Sequence, residues 1–185
     1  ITILYNGVDL REIPPAIKQA RQKLIIGTLG RLVTQKGHDF LIPVAKVLQN
    51  KGLEFEVHIA VTGPLTTEIE QKIKLAGLEK SIKLLGHQKA DQFLREIDLF
   101  VFPSRFEGLS NALLEALLYQ RPTVAFDIAS NSEIIENNRS GFIIPPFDTD
   151  MMAEKIYQLV VSKSLRESFQ QNGVQKLKDK FDYHQ

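Results

Sequence analysis

Two glutamates eight residues apart, in Glu107-Gly-Leu-Ser-Asn-Ala-Leu-Leu-Glu115, open the most chemically suggestive stretch of this chain. Before them, Asp98-Leu-Phe-Val-Phe-Pro-Ser104 reads as a buried strand closed by Pro103. After them, Ala112 to Tyr119 reads as an apolar helix. Glu107 is therefore expected in a strand-to-helix loop, with Glu115 about two turns into the helix. In open α/β sheets, ligands bind at the carboxyl ends of strands. An acid in a mostly apolar helix needs a partner, because burying a lone carboxylate is costly. A ligand hydroxyl would supply one. The alternative is an acid that faces solvent or caps a neighbouring loop.

A second constellation is Gly30-Arg-Leu-Val-Thr-Gln-Lys-Gly37. It follows an apolar run and precedes an amphipathic one. Glycine lets the backbone approach a ligand closely. Loop amides and helix N-termini attract phosphate. Arg31 can pair bidentately with phosphate oxygens, and Lys36 adds a compact second charge. Two cations beside a glycine-rich turn point to a diphosphate; two solvated surface cations are the alternative. The segment has neither a Walker A pattern nor the Gly-x-Gly-x-x-Gly dinucleotide fingerprint. Readings as a P-loop NTPase or a Rossmann dehydrogenase lose ground accordingly.

Short apolar runs alternate with longer amphipathic ones, and these elements must position both groups. Expected strands are Lys23 to Leu29, Phe55 to Val61, Ser81 to Leu85, Asp98 to Ser104, Pro122 to Phe126 and Gly141 to Pro145. The helix from Asp39 to Asn50 closes at Gly52, with Pro43 near its start, where proline is tolerated. The next is capped by Thr66 or Thr67 and ends near Gly77. Ala90 to Glu96, the helix opening at Ser110, and one or two turns over Ser132 to Asn137 follow. Asp148 caps a helix to about Val161, and a charged helix runs from about Leu165 to Lys180. The first twenty-odd residues, with Pro14-Pro15, read as a loop outside the main sheet.

Strands alternating with helices imply a parallel sheet covered on both faces, with right-handed crossovers. The expected fold class is α/β, a Rossmann-like doubly wound sheet. A chain of 185 residues suits a single domain, 1–185. A formal net charge of +1 argues against a nucleic-acid partner held by bulk electrostatics. The chain contains no cysteine, which excludes disulfides and thiolate chemistry and fits a cytoplasmic location. No apolar run reaches the ~20 residues of a transmembrane segment. No histidine, acid or cysteine cluster has metal-ligand spacing, so no metal or other cofactor is expected. His38 is read as helping to begin its helix, and His58 as a packed or satisfied strand residue. Beginning at Ile1 in an apolar run, the chain reads as a segment of a longer protein.

Both constellations resemble the family 4 glycosyltransferases, which have the GT-B fold. Glu107, Gly108, Glu115 and Ala116 match the family's acidic signature. Gly30-Arg-Leu, then Lys36-Gly37, matches its donor-phosphate loop. Asn6-Gly-Val-Asp9, Phe102-Pro-Ser104 and Gly141-Phe-Ile-Ile-Pro-Pro146 follow the family order. Together they cover nearly the whole chain.

The resemblance implies the C-terminal, donor-binding half of a two-domain retaining enzyme, lacking its N-terminal acceptor domain. It implies a nucleotide-sugar substrate, with a UDP-sugar favoured and GDP- or ADP-sugars open. Arg31 and Lys36 would neutralise the departing diphosphate in place of a metal. Glu107 would contact donor-sugar hydroxyls, and Glu115 the ribose diol. Gly30 opens the phosphate loop, and amides of Gly108, Leu109, Ser110 and Asn111 would cradle sugar and phosphate. Gly86 and His87 stand where the family meets the base; an ordinary loop histidine is the alternative.

This sequence departs from the family in two places. The loop Ile128-Ala-Ser-Asn-Ser-Glu133 lacks the usual paired glycines before its acid, and Ser110 replaces a second glycine. Both bear on sugar preference. A GT-B epimerase or phosphorylase, or a non-catalytic interaction module, remains the alternative. The full enzyme is expected to associate peripherally with the inner face of a membrane. Arg166, Lys176, Lys178 and Lys180 read as a solvated charged face, or as one packing on the absent domain.

Overall fold

A computed structural model describes residues 8, 10–14, 23–128 and 131–182. Of the Asn6–Asp9 motif only Val8 falls within them, and Pro15, Ala129 and Ser130 lie outside. Six strands form one parallel sheet: β1 (Leu24–Leu29), β2 (Phe55–Ala60), β3 (Ile82–Leu84), β4 (Leu99–Phe102), β5 (Thr123–Phe126) and β6 (Gly141–Ile144). Their order across the sheet is β3-β2-β1-β4-β5-β6. The chain builds outward from β1 to one edge, returns, and builds from β4 to the other. β1 and β4 are neighbours, in register at Ile26↔Leu99 and Gly27↔Phe100. That junction is the topological switch point of a doubly wound sheet, where loops leave in opposite directions and open a crevice.

The helices are α1 (Leu41–Asn50), α2 (Thr66–Leu75), α3 (Ala90–Glu96), α4 (Asn111–Leu118), α5 (Asn131–Ile134), α6 (Thr149–Val161) and α7 (Lys163–Lys180). Side chains of a strand point alternately to its two faces, and β4 is apolar on both. Leu99 and Val101 join a core with α1, α2 and α6; Phe100 and Phe102 join a second core with α3, α4 and α5. This explains why β4 reads as an unbroken apolar run and not an alternating one. Gly27 in β1 makes room for α3, since a Cβ there would lie 2.5 Å from Ile97.

Several boundaries differ from the sequence expectation. Thr66 does not cap α2: it is the helix's first residue, and its hydroxyl donates instead to the Gly63 carbonyl at 2.7 Å. Helix α7 starts at Lys163, two residues early, because Ser162 caps it by accepting from the Leu165 N–H. Arg166 is not a solvated charge. Its guanidinium donates to the carbonyls of Leu159 and Val160, at 2.5 and 2.7 Å, and so closes the C-terminal end of α6. Asp148 does cap α6, accepting from the Met151 N–H at 2.9 Å. Glu115 is the fifth residue of α4, little more than one turn in, because Ser110 is the N-cap and the helix begins at Asn111.

Candidate functional site

The loop leaving β1 is pinned by Leu32. Leu32 is fully buried; its N–H donates to the Thr62 carbonyl at 3.2 Å, and its own carbonyl accepts from the Leu65 N–H at 3.1 Å. Gly63 lies flat against it, where a Cβ would fall 2.4 Å from the Leu32 carbonyl oxygen. The exits of β1 and β2 therefore form one unit. On that base, Arg31 is exposed and makes no ion pair among the described residues.

Lys36 ends a single 3-10 turn, Thr34–Lys36, and folds back over Gly30. A Cβ on Gly30 would stand 3.1 Å from the Lys36 Cδ, so the glycine leaves the space in which the lysine stem lies. Gly37 then reverses the chain in the left-handed region, at φ 64°. It does so against the end of β4: a Cβ there would sit 2.1 Å from the Pro103 carbonyl oxygen. Gly37→Ala is expected to destabilise the chain by at least about 2 kcal/mol, from backbone strain plus the clash. Urea unfolding of the variant with an unchanged midpoint would sink this account of the turn.

The β4 exit loop meets this turn from the other side. The Arg105 N–H donates to the Gln35 carbonyl at 2.7 Å, and the Gln35 amide donates to the Phe106 carbonyl at 3.1 Å. The Arg105 guanidinium pairs with Asp39 at 2.8 Å and lies 4.1 Å from the Phe40 ring centroid. Thus clamped, the loops bring Lys36 Nζ to 2.5 Å from Glu107 Oε1. The lysine also lies over the Phe102 ring, 5.5 Å from its centroid. Nothing in the sequence singled out Gln35, Asp39 or Arg105. Each becomes a clamp residue only once β1 and β4 are adjacent, and no periodicity reports a partner 66 or more residues away.

Beyond Glu107 the chain passes exposed Gly108, where a Cβ would meet open space, and then Leu109 and buried Ser110. Ser110 caps α4 by backbone conformation alone, without a side-chain bond to the helix. Asn111 opens the helix and is exposed. The Glu115 carboxylate is half-buried and makes no hydrogen bond or ion pair among the described residues. Burial raises its pKa above the ordinary glutamate range. Gly86 and His87 follow β3, two strands from β1, hence about 10 Å from the phosphate-loop exit. Gly86 turns at φ 69°, and His87 is exposed. The fold thus brings Gly30, Lys36 and Glu107 together where β1 and β4 leave the sheet, with Arg31 on the same loop, Glu115 in the helix that follows Glu107, and Gly86 and His87 along the same sheet edge. Among the described residues, no group of three or more histidines and acids is placed to share a metal ion.

Two histidines separate here. His58 bonds to Glu56 at 2.9 Å, as a satisfied strand residue. His38 does more than begin a helix. It opens the 3-10 turn His38–Phe40 with its side chain buried, and neither ring nitrogen has a partner. Burial, then the nearby Lys36 charge, lowers its pKa to about 4.

This sequence and fold are paralleled in known proteins. The family described as glycosyl transferases group 1 matches residues 23–162. The chain belongs to that family. A group 1 relative, the poly(ribitol-phosphate) alpha-N-acetylglucosaminyltransferase of Staphylococcus aureus, is 32% identical over 183 residues, 98% of this chain and 36% of that protein. Alpha-D-kanosaminyltransferase of Streptomyces kanamyceticus is 31% identical over 152 residues, 80% of this chain and 39% of its own. The chain thus spans well under half the length of these curated relatives. Among solved structures, an S. aureus TarM mutant in complex with fondaparinux, alpha-GlcNAc-glycerol and UDP superposes with a TM-score of 0.86 at 31% identity, over 92% of this chain and 35% of that one. The C-terminal domain of the Francisella tularensis group 1 protein LpcC superposes at 0.82 and 26% identity, over 96% of this chain and 100% of that domain. The Rossmann-like sheet described above therefore has the fold of the C-terminal domain of a group 1 glycosyl transferase.

Proposed function

We propose that this domain binds the nucleotide-sugar donor of a retaining glycosyltransferase whose acceptor site lies on an N-terminal domain across the crevice. The observation that carries the reading is the meeting of the Arg31–Gly37 turn and the Glu107–Glu115 segment at the switch point. In the transfer, the anomeric carbon–oxygen bond breaks and its electron pair leaves with the diphosphate. An acceptor hydroxyl oxygen bonds to that carbon and gives its proton to the departing diphosphate oxygen. Charge therefore grows on the leaving group, and preorganised cations there lower the barrier. Arg31 and Lys36 take that role without a metal. Glu107 holds donor-sugar hydroxyls, Glu115 the ribose diol, and amides of Gly108 to Asn111 the sugar and phosphate. Gly86 and His87 meet the base. A UDP-sugar is favoured, a choice supported by the UDP in the TarM complex.

The acceptor domain would also exclude water, which strengthens these interactions in the closed state. The domain alone is therefore expected to bind nucleotide weakly and to turn over little substrate. In the described residues no helix is long and apolar enough to cross a membrane; the full enzyme is proposed to work in the cytoplasm, at a membrane surface. An amide NMR titration with UDP, GDP and ADP tests the reading. Shifts at Arg31–Gly37 and Glu107–Glu115 with one nucleotide support it and identify the base. A folded spectrum unmoved by all three argues against donor binding by this domain.

Glu115 gives a second, opposed pair of effects. The folded state raises its pKa, so between the ordinary and the raised value the native chain holds a proton that the unfolded chain has lost. Stability then falls as pH rises through that interval. Glu115→Gln removes this cost and is expected to raise the unfolding midpoint at pH 7. The same change is expected to weaken UDP more than 2′-deoxy-UDP, because a carboxylate accepts from both ribose hydroxyls. Equal losses for the two nucleotides would exclude direct contact with the diol.

A further inference from the structure

Lys36 is not a waiting cation. Its ammonium already pairs with Glu107 at 2.5 Å, and both side chains are shielded, at 22% and 11% exposure. The pair is built into the fold. Gly30 and the Phe102 ring confine the lysine stem, and the Arg105–Gln35 and Gln35–Phe106 hydrogen bonds fix the two loops that carry the charges. Of the two cations offered to a diphosphate, Arg31 is exposed and unpaired among the described residues, whereas Lys36 is neutralised. A diphosphate can gain Lys36 only by separating it from Glu107. The freed carboxylate then sits beside a second anion, which is unfavourable unless something donates to it. A nucleotide-sugar carries such donors in its sugar hydroxyls, whereas a free nucleoside diphosphate has none in that position.

On the donor-site reading given above, we propose that Glu107 is an intramolecular competitor of the diphosphate for Lys36, one that the sugar silences. While the sugar is attached, its hydroxyls occupy Glu107 and Lys36 is released to the phosphates. Once the sugar has been transferred, Glu107 loses those donors and reclaims Lys36, expelling the nucleoside diphosphate. The pair thus biases the site toward substrate over product.

The test is calorimetric and NMR titration of this chain and its variants with UDP and with inorganic pyrophosphate. Glu107→Gln abolishes the competing charge and is expected to tighten both ligands roughly three- to tenfold. In a Lys36→Gln background the same change should tighten them clearly less, because only charge repulsion by the unpaired carboxylate is relieved and no competition for the lysine is left to remove. A gain of the same size in that background would show ordinary charge repulsion and overturn the competitor role. If Glu107→Gln fails to fold, Glu107→Asp, which retracts the carboxylate by one methylene, should tighten both ligands in the same sense. Wild-type binding of UDP with shifts at Arg31–Gly37, but unchanged or weaker binding by the Glu107 variants, would overturn the proposal and leave donor binding standing. No binding of either ligand by any form would remove both.

Discussion

Lys36→Met is expected to weaken UDP binding by roughly ten- to a hundredfold, the range of a lost hydrogen bond to a charged group. Methionine preserves an apolar stem in the space over Gly30 and beside the Phe102 ring, so the turn should keep its shape. Two losses combine in this variant. The diphosphate forfeits its shielded cation, and Glu107, now unpaired, presents a negative charge at the same place. Arg31→Ala is expected to cost less, because Arg31 is exposed and its attraction is weakened by solvent. Isothermal titration with UDP at fixed ionic strength measures both. Unchanged affinity in Lys36→Met, with a wild-type amide spectrum, would remove Lys36 from phosphate binding. A spectrum altered throughout would show that the Lys36–Glu107 pair holds the two loops more than it serves a ligand.

Acidification should unfold this domain through a residue that carries no assigned chemistry. His38 is 2% exposed, neither ring nitrogen has a partner, and it lies near the Lys36 charge. Its pKa falls from 6.5 to about 4 on folding, chiefly by burial. Below pH 6.5 the unfolded chain takes up a proton that the native ring refuses, so the unfolded state is favoured. The contribution is intact above pH 6.5 and is lost progressively as pH falls toward about 4. Across that interval the loss is about 3 kcal/mol. His38→Leu is close in size and needs no hydrogen bond, so it should keep the fold and flatten this part of the profile. Urea unfolding of both proteins from pH 7 to pH 4 measures the difference. Parallel profiles would show that His38 either gains a partner in solution or protonates without cost. Glu115 contributes with the opposite sign, so the Glu115→Gln profile separates the two groups.

Much of the fold was legible because its signals are local. Strand β4 showed itself as a short apolar run closed by Pro103, and Asp148 announced α6 through an N-cap that the structure retains. Gly30 and Gly37 bracketed a turn after the first strand, and both take positive φ there, packed against the Lys36 stem and the Pro103 carbonyl. Where local rules gave way, a competing backbone carbonyl lay only a few residues along the chain. Arg166 left the solvated face of α7 for the carbonyls ending α6, while His38 opens its 3-10 turn as expected but with its ring buried and without a partner. Thr66 found the carbonyl of Gly63 in place of its helix.

By itself the sequence determined the elements, the residue types at each strand exit and the family to which the chain belongs. Those depend on periodicity, turn chemistry and the order of short motifs, all of which lie along the chain. Only the tertiary structure decided that Lys36 and Glu107, 71 residues apart, are partners before any ligand arrives. Their meeting requires β1 and β4 to be neighbours in the register Ile26↔Leu99, and requires Gln35, Asp39 and Arg105 to clamp the two exits together. Strand order and register are set by the packing of both cores at once. A side chain's electrostatic partner, and hence its freedom to bind, is fixed only after that packing is complete.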